Sequence, residues 1–509
     1  MSFAALGAVL VACLVLAASR AFVLDDAFIS FRYAQNLVEA GELTWNPGEV
    51  PPVEGYTNFL WTLLLAGALA LGFEPVAASQ VLGLAAFLGT LLVTHRLAVD
   101  MLGSRIQAIL AVGLLGTNFT FSHFATGGLE TQLQALLITS CAALTVAILR
   151  RSASITEPWR LAALSLLTSA AVMTRPDSAL PCAILWGWLA VKLWRQRPSR
   201  AEVLPSALAA TLPAALTLGP WLTWKWAYYG ELLPNTAHIK VAGFTWATFE
   251  QGLGYVLTFG ASYQLLPIFV LALVRAGKLL GRSDLAVLTT IVACWLAYLV
   301  RIGGGFMELR LLVPVLPLAF VLIIFLIFEL EPRWARATLV GLLVFGSVWH
   351  AMRFTDGGNI DSIATQRGYI EDPRDNWPRV GEVLGELFGD GAEPGFVDPV
   401  MIATTAAGAI PYYSQLPTVD MLGLNDRWVA RHGVAMGSRP GHTRRADFNY
   451  LLKRRVNLVI GHPRVEPRDG GSIDGASFPL HRLSWFYLVD VDPERIPATA
   501  RVVEIPLDA

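Results

Sequence analysis

The chain has 509 residues, 54% of them hydrophobic and only 15% charged, and its mean hydropathy is +0.53. A soluble domain carries about 25% charge, so the composition excludes a soluble globular protein and points to a polytopic membrane protein. The net charge of -1 also excludes a globally basic nucleic-acid binder, because phosphate binding needs a clustered excess of Lys and Arg.

The first apolar run, Ser2 to Val23, has no basic segment before it and no small-residue cleavage pattern before Asp25. It reads as a spanning helix rather than a signal peptide. Two adjacent acids follow, Asp25 and Asp26, and then an amphipathic stretch from Phe28 to Ala40 whose polar stripe Arg32, Asn36 and Glu39 recurs at helical spacing. Asp26 is expected to cap that helix, which lies along the interface. Three apolar stretches, 57–72, 76–95 and 106–122, come before Glu130. Asp26 and Glu130 both lie outside, so an odd number of crossings is forbidden. The basic link His95, Arg96 and Arg105 belongs in the cytoplasm, which leaves 57–72 re-entrant or lying on the outer face.

Further spans read 129–149, 160–174, 178–194, 204–226, 253–275, 285–301, 311–330 and 335–352. Short basic loops separate alternate spans: Arg150, Arg151 and Arg160; Lys192, Arg195, Arg197 and Arg200; Arg275, Lys278 and Arg282; Arg333 and Arg336. Positive charge marks the cytoplasmic side, so the pattern predicts about 11 spans in all and places everything after residue 352 outside. Cys13, Cys141, Cys182 and Cys294 all fall within apolar runs and behave there as small hydrophobes. Residues 353–509 are richer in Asp, Arg, Pro and Gly, with β-like runs "EPGFVD", "NLVIGH" and "ARVVEIPLD" and a helical segment Val380 to Phe388. The expected fold is therefore a polytopic α-helical membrane module, 1–352, followed by a small extracytoplasmic α/β domain, 353–509.

This topology gathers unusual polar residues on the outer face: Asp25, Asp26, Arg32 and Glu54; His123 and Glu130; Arg175 and Asp177; Glu231, Asn235, His238 and Lys240; Arg301, Glu308 and Arg310. A transporter would place ionisable groups near the bilayer midplane, on broken helices within inverted repeats. Each of these residues also has an ordinary structural explanation. Glu130 opens a helix, where the N-terminal dipole favours an acid, and Arg175 and Asp177 can pair with each other. The doublet is harder to explain that way, because one carboxylate suffices for a cap and two adjacent ones repel. Catalysis or metal binding accounts for it better.

The run "DDAFISFRYAQNLVEAGELTWNPGE…VEGYTNFLWTLLL" resembles the first outer loop of polyprenyl-phosphate-sugar-dependent glycosyltransferases of the membrane-embedded GT-C superfamily. More closely, it resembles the terminal arabinofuranosyltransferases of the mycobacterial cell wall. The likeness continues in "TGGLET" (126–131), "TRPD" (174–177), "YYGELLPNT" (228–236) and "IPYYSQLPTVDMLGLND" (410–426). It departs at "GGGFMELR", Gly303 to Arg310: similar proteins carry an Asp where Gly305 stands, and Glu308 is the nearest substitute.

The resemblance implies a GT-C-like fold, the charge topology places the polar cluster on the outer side, and the Ala- and Leu-rich composition suggests a bacterial inner membrane. The resemblance also implies transfer of a sugar, such as a pentofuranose, from a polyprenyl-phosphate donor to a glycan acceptor. Such a reaction needs a base, for which Asp25 and Asp26 are the candidates. It also needs cations for the departing phosphate, and Arg175, His238, Lys240, Arg301 and Arg310 are available. Glu54, Glu130 and Asn235 suit sugar or acceptor binding, as do Tyr412, Tyr413, Asp420, Asn425, Asp426 and His442 in the tail. A divalent ion (Mg, Mn or Ca) on Asp25 or Asp26 remains open, with no ligand set to argue for it. So do transfer of mannose or a modified pentose to lipid or protein, and a lipid-sugar flippase.

Overall fold

The computed structural model describes residues 3–150, 157–196, 200–240, 245–373, 375–389, 400–437, 439–463, 481–483 and 486–488. The helices in chain order are α1 (Phe3–Ala18), α2 (Asp25–Glu39), α3 (Phe59–Ala70), α4 (Pro75–Leu102), α5 (Arg105–Gly116), α6 (Phe119–His123), α7 (Thr131–Arg150), α8 (Pro158–Thr174), α9 (Ala179–Gln196), α10 (Arg200–Tyr229), α11 (Asn235–Lys240), α12 (Trp246–Ser262), α13 (Leu266–Val274), α14 (Ala276–Gly281), α15 (Ser283–Ile302), α16 (Leu316–Phe328) and α17 (Arg333–Arg353). Two 3-10 turns, Pro176–Ser178 and Arg310–Val315, lie before α9 and α16.

Local chemistry sets many of the ends. Glu74 accepts from the N–H groups of Val76 and Ala77 with Pro75 at the first position, and α4 stops at Gly103, whose φ is +68°. Among the described residues six helices qualify as spans by length and composition: Pro75–Leu102, Thr131–Arg150, Val203–Tyr229, Ser283–Ile302, Arg310–Phe328 and Arg333–Arg353. Helix α3 has 12 residues, roughly 18 Å, and does not cross a hydrocarbon core of about 30 Å. The stretch expected as one span at 253–275 is not straight: α12 and α13 meet at 102°, with Gln264 at a φ of 56° in the corner.

The Arg310–Phe328 segment is the centre of the bundle, with 78% of its apolar window buried, and α16 packs on α4, α5, α7, α13, α15 and α17. Helix α10 is its opposite, with 6% of its window buried and Leu204, Leu208, Leu212 and Leu216 outward. Such a face suits lipid.

After α17 come α18 (Ile363–Glu371), α19 (Trp377–Phe388), β1 (Ile402–Thr404), α20 (Ala409–Ser414), β2 (Thr418–Asp420), α21 (Arg427–His432), β3 (Val434–Ala435), β4 (Arg444–Arg445), α22 (Phe448–Lys453), β5 (Leu458–Gly461), β6 (His481–Leu483) and β7 (Phe486–Leu488). β1 is the middle strand of a parallel sheet in the order β2-β1-β5, with Ile402 opposite Thr418 and Leu458. Parallel neighbours need a crossover, and α20 lies in the one between β1 and β2. The run "NLVIGH" supplies β5, whereas "EPGFVD" and "ARVVEIPLD" lie outside the described residues.

Candidate functional site

Helix α2 begins at Asp25, and Leu24 holds the cap position without a side-chain cap. Asp26 is therefore not the cap expected from the sequence. Leu24 is held instead by tertiary contact, its N–H donating to the Gly127 carbonyl at 3.2 Å. Both acids sit in the first turn, where the helix end favours negative charge.

Successive helical residues point about 100° apart, and the two acids have different surroundings. Asp25 faces the tail: its Oδ1 accepts from the Ala409 N–H at 2.7 Å and its Oδ2 from the Gly408 N–H at 3.1 Å. The approach requires glycine, because a Cβ on Gly408 would lie 1.9 Å from the Asp25 carbonyl oxygen. Burial pushes the Asp25 carboxyl up to about 7, against the two backbone donors that lower it. A value near neutrality suits a general base, yet geometry has priority, and both Asp25 oxygens are already committed. Asp26 is half-buried. Among the described residues no hydrogen bond or ion pair engages it, while it lies within electrostatic range of Asp25, Arg310 and His442.

The "TGGLET" loop is pressed against α2. Gly128 has a φ of +81°, and a Cβ there would sit 2.6 Å from the Ala27 methyl; the Trp61 indole N–H donates to the Gly128 carbonyl at 3.1 Å. Glu130 is carried in with it. Its Oε2 accepts from Asn58 at 2.8 Å, and its Oε1 from Arg175 at 2.8 Å with Arg310 at 3.9 Å. Burial raises the Glu130 pKa, but Arg175 and Arg310 outweigh it and hold the carboxyl at about 2. Arg175 also pairs with Asp177 at 2.6 Å, so two carboxylates occupy it. Arg310 differs: among the described residues its guanidinium makes no hydrogen bond, only the 3.9 Å approach to Glu130.

Most of the other expected binding residues are engaged within the protein. Glu54 pairs with buried Lys225 at 2.9 Å, and burial pushes it up to about 7, with Lys225 opposing. The Asn235 amide donates to the carbonyls of Gly423, Leu424 and Asp426. Asp420 accepts from the N–H groups of Leu422, Gly423 and Asn425, and burial lifts it to about 6. Asn425 accepts from the Tyr33 hydroxyl. Asp426 caps α21 and receives Tyr450 and Arg454. Asn235, Asp420, Asn425 and Asp426 hold the tail's turns and tie them to the helical module.

Tyr412 and Tyr413 stack around Phe28, each with ring centroids 5.4 Å away. His442 sits edge-on to Phe306 at 5.0 Å, and burial lowers its pKa. His238 belongs to a second polar group, 3.4 Å from Glu231 and 3.2 Å from Arg431. The Lys240 side chain lies outside the described residues, and Arg301 is exposed in the last turn of α15.

Glu308 is turned into the core, 2.7 Å from His350 and accepting from the Ile363 N–H at 2.6 Å, so it does not stand in for an acid at Gly305. Ca²⁺ or Mg²⁺ takes about six or more oxygens, and among the described residues no group of three or more His, Cys, Asp or Glu is placed to hold an ion. Asn58 was missed by sequence reasoning, although it stands inside the "VEGYTNFLW" motif.

Fold and site together define a class: a polytopic helical membrane protein with the GT-C fold, whose acidic and basic groups meet at one end of the bundle. The ArnT crystal structures from Cupriavidus metallidurans share that fold. The form bound to undecaprenyl phosphate matches with a TM-score of 0.55 at 12% identity, over 81% of this chain and 84% of that one. The apo form matches with a TM-score of 0.57 at 12% identity, over 90% and 92%.

In sequence, the chain is similar to the terminal beta-(1->2)-arabinofuranosyltransferase of Mycobacterium tuberculosis, 29% identical over 48% of this chain and 39% of that protein. It is also similar to the enzyme of the same name from Corynebacterium glutamicum, 25% identical over 70% and 55%. The chain thus spans about two fifths to just over half the length of these relatives. Residues 375–501 match a family described as a domain of unknown function, DUF8728.

Proposed function

We propose that the chain is an inverting glycosyltransferase. It moves a pentofuranose, in the first instance arabinofuranose, from a polyprenyl-phosphate donor onto a glycan acceptor at the outer face of a bacterial inner membrane. The observation that carries this reading is a pair of oppositely charged side chains at one end of the bundle, within electrostatic range of each other, that make no hydrogen bond among the described residues. Among the described residues Asp26 makes no hydrogen bond or ion pair, and the Arg310 guanidinium makes no hydrogen bond, only the 3.9 Å approach to Glu130.

The chemistry needs those two groups. An acceptor hydroxyl attacks the anomeric carbon as Asp26 takes its proton, a base contribution of typically 10²–10⁴-fold. The bond from the anomeric carbon to the phosphate oxygen breaks, and the electron pair leaves with the polyprenyl phosphate. Arg310 meets the charge that gathers there, where water is excluded. Attack on the face opposite the phosphate inverts the anomeric centre, by the logic that separates inverting from retaining glycosidases. A polyprenyl tail is soluble only in the bilayer, so the donor's phosphate arrives at the interface where α2 begins. The names of the two relatives support arabinofuranose, and the undecaprenyl phosphate bound in the ArnT crystal structure supports the lipid.

The test uses the full chain in lipid nanodiscs, given polyprenyl-phosphoryl arabinofuranose and a short arabinan, with released polyprenyl phosphate and acceptor mass followed together. The expected result is one pentose added per phosphate released, lost by about 10²-fold or more in Asp26→Asn. Transfer by Asp26→Asn at the wild-type rate would remove the proposed base. A donor that crosses the bilayer intact would replace the transferase with a flippase.

A further inference from the structure

Helix α2 holds the tail helix α20 at both ends. At the start of α20, Asp25 accepts from the Gly408 and Ala409 N–H groups. At its other end, Arg32 donates through Nη1 to the Pro411 carbonyl and through Nη2 to the Leu416 carbonyl at 2.9 Å. Asp25 and Arg32 are seven positions apart, two turns of helix, and so share one face of α2. Phe28 and Phe31 lie between them and pack on Tyr412, with Phe28 also on Tyr413.

Arg32 is only 2% exposed, and among the described residues no carboxylate pairs with it; its Nε donates to the Trp45 carbonyl at 2.9 Å. A buried guanidinium satisfied almost wholly by backbone carbonyls is expensive and fixes its partners tightly. Next to it, Asn46 makes a two-way contact with Thr418 of β2, accepting from its N–H at 3.0 Å and donating to its carbonyl at 3.0 Å. The first outer loop therefore grips the tail through α20 and β2, and the same docked tail brings His442 within electrostatic range of Asp26.

We propose that Asp25 and Arg32 form a two-ended clamp on α20 that fixes the first turn of α2 and closes the tail over the Asp26 site, so that Asp25 is a positioning residue and Asp26 alone receives the proton. This rests on the transferase reading for its catalytic consequence, whereas the clamp itself is a statement about docking. It also explains why two chain segments nearly 400 positions apart carry matching signals: "DDAFISFR" and "AGAIPYYSQLPT" are the two halves of one contact.

A positional role can be restored without the carboxylate; a chemical one cannot. Gln35 and Gln415 lie on the exposed side of the same contact, the Gln415 amide donating to the Gln35 carbonyl oxygen at 3.0 Å. Gln35→Cys and Gln415→Cys would be introduced together into the full chain in nanodiscs, in wild-type, Asp25→Ala and Asp26→Asn backgrounds, and treated with a short bifunctional maleimide. The clamp predicts that Asp25→Ala slows cross-linking and lowers transfer by about 10²-fold, the scale on which a misplacement near 1 Å costs rate. The completed cross-link then returns most of that loss, while Asp26→Asn stays inactive.

A full cross-link with no recovery in Asp25→Ala would overturn the positional role and make Asp25 a participant in the chemistry. An unchanged cross-linking rate would overturn the clamp. If even the wild type transferred nothing, the transferase reading would fail, and the cross-linking rate would still decide the clamp.

Discussion

Arg175 and Arg310 approach the same carboxylate oxygen of Glu130, at 2.8 Å and 3.9 Å, but they have different capacities for a ligand. Arg175 is shared between Glu130 and Asp177 and has little left to offer a phosphate. Arg175→Ala would leave two buried acids short of their partner, so its main effect is expected on stability, about 3–5 kcal/mol, read as a lowered midpoint of thermal unfolding. Arg310→Ala removes a group whose guanidinium makes no hydrogen bond among the described residues and only a 3.9 Å approach to Glu130. It should lower that midpoint less than Arg175→Ala does, while lowering kcat/KM for the lipid donor by roughly 10²–10³-fold, the usual loss for a group that stabilises developing negative charge. The reverse pattern, with Arg175 controlling turnover and Arg310 controlling melting, would refute the assignment. The residue types at this site were legible in the sequence, and so was the local Arg175–Asp177 pair. The division of labour was not, because Glu130 and Arg310 reach Arg175 only through the packing of three helices.

At the scale of elements, the contact between α2 and α20 depends on a missing side chain. A Cβ at Gly408 would fall 1.9 Å from the Asp25 carbonyl oxygen and 2.5 Å from its carboxyl carbon, and backbone cannot swing aside as a side-chain tip can. Gly408→Ala is therefore expected to cost about 1–3 kcal/mol as overpacking and to lower transfer together with docking, measured by thermal unfolding and by cross-linking between positions 35 and 415. A Gly408→Ala protein with wild-type melting and cross-linking would show that the contact yields easily. Element by element, hydropathy located the apolar helices, while their ends and bends came from contacts it does not register. Helix α2 starts at Asp25 because Gly127 holds Leu24. The break between α12 and α13 had one local signal, Pro267 at the start of α13, which a window averaging apolar residues smooths over.

For the whole molecule, one end of the bundle is tied together through one carboxylate. Glu130 precedes α7, Asn58 precedes α3, Arg175 follows α8, and Arg310 opens the turn before α16, so four bundle segments converge on a single acid. That convergence gives the protein a specific acid sensitivity. The folded-state pKa of Glu130 is about 2 against an ordinary 4.5, which is the depressed case. The unfolded chain takes up the proton first as the pH falls, so the stabilisation is fully present above 4.5 and fades toward 2. A separation of that size corresponds to stability on the order of 3 kcal/mol. Thermal unfolding of the detergent-solubilised protein between pH 6 and pH 3 should therefore show the wild type losing stability more steeply than Glu130→Gln. The amide cannot titrate and has already lost the ion pairs, so the gap between the two proteins should narrow steadily below pH 4.5. Parallel pH profiles for the two proteins would mean that the arginines do not depend on Glu130, and that this end of the bundle is held by its apolar packing instead.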